Sequence, residues 1–374
     1  MIKLLASKLL FVGAAFALLL TFISQPQIAQ ASSSWSTPVT VGVGGVNAIS
    51  CVSSSFCVAV DDVGGATVYS NGSWGSRTVI DGSSLNGVSC MSDTDCIAVD
   101  SAGNYTIFNG TSWSSPSLAD SFGIPLLNIS CGSQNLCMST DAVGMLYGYD
   151  GNTWNIQPPS GVGGVACAPS SSFCVVENYP STGNVTYYDG SNWSSSVQVD
   201  NNLLSNINCA SSNFCVASDA TGNVYTYSNG TWDDGVVVDT FNDISSLSCA
   251  SSSFCIAADG IGNVSVYDGT SWSTPASIDN TGFLALSCPT SSYCGAADYN
   301  GYYLAYNEID DTVNNTGNIG NANQASSNNP TQVKAPNTGY GYYRSNSVPY
   351  SSIIVFVSFV ATCLIGLRLK SILR

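Results

Sequence analysis

Short runs in which apolar and polar residues alternate fill the chain across residues 46–308, and no helical periodicity competes with them. Residues 204–209, 214–218, 223–227 and 232–238 form one such group, the pattern of four half-buried strands. Between the third and fourth strand of a group stands a turn pair: Asn71-Gly72, Asn109-Gly110, Asp150-Gly151, Asp189-Gly190, Asn229-Gly230 and Asp268-Gly269. Asn-Gly and Asp-Gly supply the two positive φ angles of a type I′ turn, so the pattern predicts type I′ hairpins at all six. Two longer apolar runs stand apart from this alternation, residues 9–23 and 353–367.

The groups repeat with a period of about 40 residues. Cysteines recur in pairs: Cys51/Cys57, Cys90/Cys96, Cys131/Cys137, Cys167/Cys174, Cys209/Cys215, Cys249/Cys255 and Cys288/Cys294. After each of the first six pairs comes a tryptophan: Trp74, Trp113, Trp154, Trp193, Trp232 and Trp272. Trp35 stands alone ahead of Cys51, at the interval that separates Trp74 from Cys90. Four antiparallel strands repeated seven times predict an all-β fold, a seven-bladed β-propeller with four strands per blade. The seventh group stops near Asn307-Glu308, short of its turn and tryptophan, so a strand over residues 35–43 is expected to complete blade seven and shut the ring. In their Asp/Asn-Gly-x-(x)-Trp turns the units across residues 35–308 resemble the Asp-box and WD-type repeat propellers, without the full Ser-x-Asp-x-Gly-x-x-Trp box.

Both ends of the chain read as addresses. Lys3 and Lys8, the apolar run 9–23 and Ala29-Gln30-Ala31 have the layout of a signal peptide over residues 1–31, with a mature start at Ser32. Near the other end, Ala335-Pro336-Asn337-Thr338-Gly339 is followed by a polar spacer, the apolar run 353–367 and the basic residues Arg368, Lys370 and Arg374. This order resembles the Leu-Pro-x-Thr-Gly sorting signal of sortase-anchored surface proteins, with Ala335 in place of the leucine. The resemblance implies cleavage between Thr338 and Gly339 and transfer to the cell wall, which makes a sortase-type transpeptidase and the wall itself partners. If the tail is retained, the helix within residues 340–374 anchors the chain in a membrane. Residues 311–338, rich in Asn, Ser and Thr, read as a flexible stalk between this tail and a propeller spanning residues 32–310. The expected location is the exterior of the cell.

Composition narrows the chemistry. The chain has 24 Asp and Glu, 8 Lys and Arg, and no His, a formal charge of −16. Without clustered Lys and Arg it is no nucleic-acid binder, and without His it has no Ser-His-Asp or Cys-His catalysis. Between residues 32 and 338 only Arg77 and Lys334 stand against all 24 acids. Of 15 cysteines, 14 fall in the seven pairs, which fits seven disulfides within blades of an exported protein and leaves Cys363 in the apolar tail. The tryptophans, repeating at one position, are expected in the core between blades.

Four residues after the second cysteine stands an acid in six blades: Asp61, Asp100, Asp141, Asp219, Asp259 and Asp298, each opening a D-x-x-G turn between the second and third strands. Asp accepts backbone N–H bonds in such turns. The same six carboxylates form a ring on one face, a candidate site for Ca²⁺ or a cationic partner, and no other cofactor is expected. Blade four departs: its cysteines are one residue further apart, Glu177-Asn178 replaces the acid, and the loop containing Tyr179 is longer. Glu177 and Tyr179 are therefore candidate ligand contacts on that face. These regularities predict a monomeric, surface-displayed propeller that binds an extracellular protein, peptide or glycan and is not an enzyme; the alternative is a glycoside hydrolase using two carboxylates. No arginine cluster of the sialidase kind is present.

Overall fold

The computed structural model describes residues 33–119, 122–179, 183–240, 242–308 and 338–339; the expected signal peptide, the tail beyond Gly339, Ala335, Pro336, Asn337 and most of the stalk fall outside them. These residues form strands and turns, with no helix among them. Seven antiparallel sheets follow one another, each running outward in sequence order. In blade five the strands are Leu204–Ser211, Phe214–Asp219 and Asn223–Ser228, then the short outer pieces Thr231–Trp232 and Val236–Val237. The seven inner strands are Val46–Ser53, Leu85–Ser92, Leu126–Ser133, Val162–Cys167, Leu204–Ser211, Ile244–Ser251 and Phe283–Thr290. Each packs beside the next and the last beside the first, so the chain is a closed seven-bladed propeller. Closure follows the expected route. Ser33–Trp35 and Val39–Thr40 pair antiparallel with Tyr302–Glu308, Trp35 opposite Tyr306, and complete blade seven from the other end of the chain. On the axis, Thr338–Gly339 pairs with the inner strand of blade three, Thr338 opposite Ser130 and Gly339 opposite Ile129.

The core lies between blades rather than within them. Leu85, Val88, Ala98 and Phe108 of blade two cluster with Ala48, Phe56, Val58 and Val60 of blade one, and Trp113 packs at the edge. The same arrangement recurs at the other junctions, each with its own tryptophan. Every tryptophan also meets an aromatic ring across its hairpin, as in Tyr188–Trp193 at 5.0 Å and Tyr149–Trp154 at 5.2 Å. Trp35 makes this contact with Tyr306 at 5.5 Å, so the closing strand is held by the same kind of pair as any other blade.

All seven cysteine pairs form disulfides within their own blade, Cys51–Cys57, Cys90–Cys96, Cys131–Cys137, Cys167–Cys174, Cys209–Cys215, Cys249–Cys255 and Cys288–Cys294. The residue before the first cysteine stitches blades together. Ser50 accepts the Cys90 N–H at 3.0 Å, Ser89 that of Cys131, Ser130 that of Cys167, Asn208 that of Cys249 and Ser248 that of Cys288. Ser287 accepts the Cys51 N–H at 2.8 Å and carries the series across the closure. In blade four this position is Ala166, which has no side-chain acceptor to offer Cys209.

Two expectations are corrected. Type I′ turns occur only at Asn71-Gly72 and Asn229-Gly230, where both residues have positive φ. At Asn109, Asp150, Asp189 and Asp268 one more residue precedes the tryptophan, and only the glycine has positive φ. There the Asn or Asp carboxamide or carboxylate caps the loop, as Asn109 Oδ1 does by accepting the N–H groups of Thr111 and Ser112 at 3.0 and 2.9 Å. The outer strand is also broken rather than continuous over 232–238. The residue after the tryptophan puts a side-chain oxygen where a strand carbonyl would sit: Ser114 Oγ accepts the Ile107 N–H, and Ser36, Ser194, Asp233 and Ser273 do the same in their blades.

Candidate functional site

In an up-and-down blade the second-to-third turns and the loops between blades share one face, while the other two sets of turns share the opposite face. The six predicted acids all lie on the first face, buried beneath it: Asp219 and Asp298 are 0% exposed, and Asp61, Asp100, Asp141 and Asp259 nearly so. In every case Oδ1 accepts the N–H of the second and fourth residues onward, for example Asn300 and Tyr302 on Asp298 at 2.9 and 2.7 Å. The other five turns repeat this bond pair. Their D-x-x-G glycines all have positive φ, which the turn requires. The first oxygen of each acid is thus spent on the backbone.

The surroundings of the second oxygen vary between blades. Arg77 pairs with Asp61 through both Nε and Nη2. Asn104 donates to Asp100, Tyr147 to Asp141, and Asn263 to Asp259. Asp219 takes Asn223, Tyr225 and Asn202. Asp298 has a tyrosine, Tyr302, where blades two, five and six have the donating asparagine, and its Oδ2 is buried without a hydrogen-bond partner. Among the described residues no three acidic or cysteine side chains converge as a metal site.

Glu177 lies on the second strand of blade four, opposite Val185, and is 5% exposed; its Oε2 fills the space beside the absent side chain of Gly163. Asn178, not Glu177, holds the position four residues after the cysteine, and it joins Thr186 and Ser196 instead of capping a turn. Tyr179 is well exposed on the loop. The structure therefore places Tyr179 on the surface and Glu177 beneath it.

A second recurring acid escaped the sequence reading although its spacing was visible. Seven residues after Trp74, Trp113, Trp193, Trp232 and Trp272 stand Asp81, Asp120, Asp200, Asp239 and Asp279; Asp120 lies outside the described residues, and the other four open the loop to the next blade. They bring a carboxylate up to the turn acid of the following blade. Asn242 Nδ2 lies between Asp239 and Asp259, donating at 3.3 and 3.2 Å, and Asn202 Nδ2 reaches Asp219 at 3.1 Å beside Asp200. No amide intervenes between Asp81 and Asp100 or between Asp279 and Asp298. Burial pushes the Asp81 carboxyl up, and the Asp100 charge adds to this. Asp298 is likewise raised by burial and by Asp279.

Exposed apolar side chains also sort by face. Val63, Val143 and Ile261 stand two residues beyond the turn acid, and Tyr179 directly follows its blade-four counterpart Asn178; Val43, Phe122 and Leu203 project from loops between blades. Val143 is 66% and Phe122 73% exposed. Among the described residues, the turns of the opposite face expose no large apolar side chain. Tyr299, in the Asp298 turn, and Tyr302, at the start of the third strand of blade seven, are exposed at the same face as Val63 and Val143. The remaining exposed ones, such as Val79 and Leu118, lie on outer strands at the rim. Two rim grooves run between outer strands, of about 570 Å³ beside Trp113 and about 470 Å³ beside Trp272. Asp239 is the one acid lining either, so neither presents two carboxylates.

No family model matches the chain, and no curated protein matches it. Among solved structures it is similar to "YCF48 bound to D1 peptide", with 15% identity and a TM-score of 0.60 over 73% of this chain and 94% of that one. It is also similar to the WD40 β-propeller domain of Doa1, with 9% identity and a TM-score of 0.62 over 74% and 98%. At such identities the likeness is one of fold: the chain is a seven-bladed β-propeller with WD40-type structural neighbours.

Proposed function

We propose that this chain is a surface-displayed recognition propeller that binds an extracellular protein or peptide on the face formed by its second-to-third turns and inter-blade loops. The observation that carries the reading is the segregation of exposed apolar side chains: Val63, Val143, Tyr179, Ile261 and Phe122 share that face, while the opposite turns are polar. Apolar groups gathered on one surface of a rigid scaffold are the usual mark of a partner site. Charge defines the partner further. Arg77, the sole Lys or Arg among the described residues, is held by Asp61, so the face offers acids and no free cation. A cationic segment with apolar side chains complements it. The neighbour solved with a D1 peptide supports peptide recognition by a propeller of this type.

In this reading residues 1–31 export the chain, and a sortase-type transpeptidase joins Thr338 to the wall once the strand has left its pairing with Ser130, or the tail holds the chain in the membrane. The test is a peptide and glycan array probed with the purified chain, followed by titration of the best ligand. Val143→Asp with Ile261→Asp is expected to weaken binding at least about tenfold, as loss of central apolar contacts does. Ser191→Asp, on the opposite face, leaves it unchanged. Binding that survives the first variant and is lost in the second would place the site elsewhere. For anchoring, Thr338→Ala should leave the chain in the membrane fraction with its tail intact, while the parent partitions with cell wall.

A further inference from the structure

Among the described residues, four junctions between blades bring two carboxylates together, and they divide into two kinds. At Asp239/Asp259 the Asn242 side chain donates to both acids. At Asp200/Asp219 the second oxygen of Asp219 takes Asn202, Asn223 and Tyr225. At Asp81/Asp100 the place of the asparagine is taken by Ser83, whose N–H serves Asp81 Oδ1, and Asp81 Oδ2 is buried with no hydrogen-bond partner. At Asp279/Asp298 the corresponding residue is Thr281, and Asp279 Oδ2 and Asp298 Oδ2 are both buried without one. Asp298 is 0% and Asp81 6% exposed. Two junctions thus contain a donor between the acids, and two leave anionic oxygens with nothing to neutralise them.

We propose that the Asp81/Asp100 and Asp279/Asp298 junctions each bind a hard divalent cation of the Ca²⁺ class in the place that Asn242 fills at the neighbouring junction. Buried like charges cost heavily unless a counter-charge is present. Arg77 cannot supply it, being committed to Asp61 in the adjacent turn. Oxygen-only donors favour Ca²⁺ or Mg²⁺ over softer metals, with waters completing a shell that two carboxylates alone leave open; such sites bind in the millimolar range typical of extracellular modules. This narrows the ring to the two junctions with a bare oxygen, Asp81 Oδ2 beside Asp100 and the Oδ2 atoms of Asp279 and Asp298. Asp100 itself already accepts from Asn104, as the second oxygens of Asp61, Asp141, Asp219 and Asp259 accept from their own donors.

The test is thermal melting of the full chain at neutral pH with CaCl₂ alone as the probe, supported by calorimetric titration. Millimolar Ca²⁺ is expected to raise the melting temperature by a few degrees. Asp81→Asn and Asp298→Asn should each remove part of the rise and together all of it, while melting cooperatively in calcium-free buffer because each recreates the amide of the Asn242 junction. Asp259→Asn, at an occupied junction, should keep the full response. A parent insensitive to Ca²⁺, or a double Asn variant that retains the response, would overturn the proposal. So would a parent stabilised by mild acid but not by Ca²⁺, since the oxygens would then be sharing a proton.

Discussion

Asp219, itself fully buried, accepts hydrogen bonds from Thr221, Asn223, Tyr225 and Asn202, whereas Asp298 serves the Asn300 and Tyr302 amides. Removing a buried acceptor costs most where it strands most donors. Asp219→Ala should therefore destabilise by about 3 kcal/mol and Asp298→Ala by about 1 kcal/mol or less, measured by denaturant unfolding. Titration gives a second contrast. Burial pushes the Tyr293 hydroxyl up to about 12 and, although Trp232 donates to it, that of Tyr187 also to about 12. Both lie above the ordinary value of 10, so the neutral phenol is favoured in the fold. Their contribution is intact below pH 10 and is lost as pH rises through about 12, where unfolding should coincide with tyrosinate absorbance. The turn acids were legible because they recur at a fixed distance from a cysteine. The loop acids recur as regularly from the tryptophans, but their significance was not legible: Asp279 matters through Asp298 of the next blade, a non-local pairing that spacing within one repeat does not display.

At the level of the hairpin, each disulfide closes a loop of six or seven residues. In the chain-entropy model so short a loop contributes about 2 kcal/mol, so replacing Cys209 and Cys215 together by Ser should cost about that much, and full reduction should lower the melting temperature sharply. The serine that precedes the first cysteine acts across blades. Ser287→Ala would leave the Cys51 N–H buried without its acceptor, at a cost of about 1–3 kcal/mol by equilibrium unfolding, while Ala166→Ser, supplying the missing acceptor, should be neutral or stabilising. The strand count, the cysteine pairing and the strand that closes blade seven could all be read from periodicity. The turn type could not be read from the Asn-Gly pair alone, because the number of residues before the tryptophan decides it. Asn71-Gly72-Ser73-Trp74 makes a two-residue turn, and Asn109-Gly110-Thr111-Ser112-Trp113 cannot. Likewise, the broken outer strands depend on Ser114 and its counterparts offering a side-chain oxygen to the ladder, which alternation of apolar and polar residues does not reveal.

For the whole molecule, apolar residues on one face and polar turns on the other give the propeller a direction, and its acidity sets the sign of what it attracts. Salt should weaken a cationic ligand's binding while leaving the apolar contribution in place, so affinity measured against ionic strength separates the two. Deleting residues 33–40 removes the outer strand of blade seven and uncovers the edge of Tyr302–Glu308. The truncated chain should melt lower and associate through that edge, as seen by scattering; unchanged melting would mean that the strand is dispensable. The closure also decides how the ring responds to force. Ser33 lies opposite Glu308, so the two ends of the seven-blade repeat sit side by side on two antiparallel strands. Tension across those points separates the pairs one at a time, like the teeth of a zip, and does not load them together in shear. Under flow or traction blade seven would peel first at low force. Beyond it, each cysteine bridge withholds the few residues of its own loop, so every blade that opens would release slightly less length than its sequence contains.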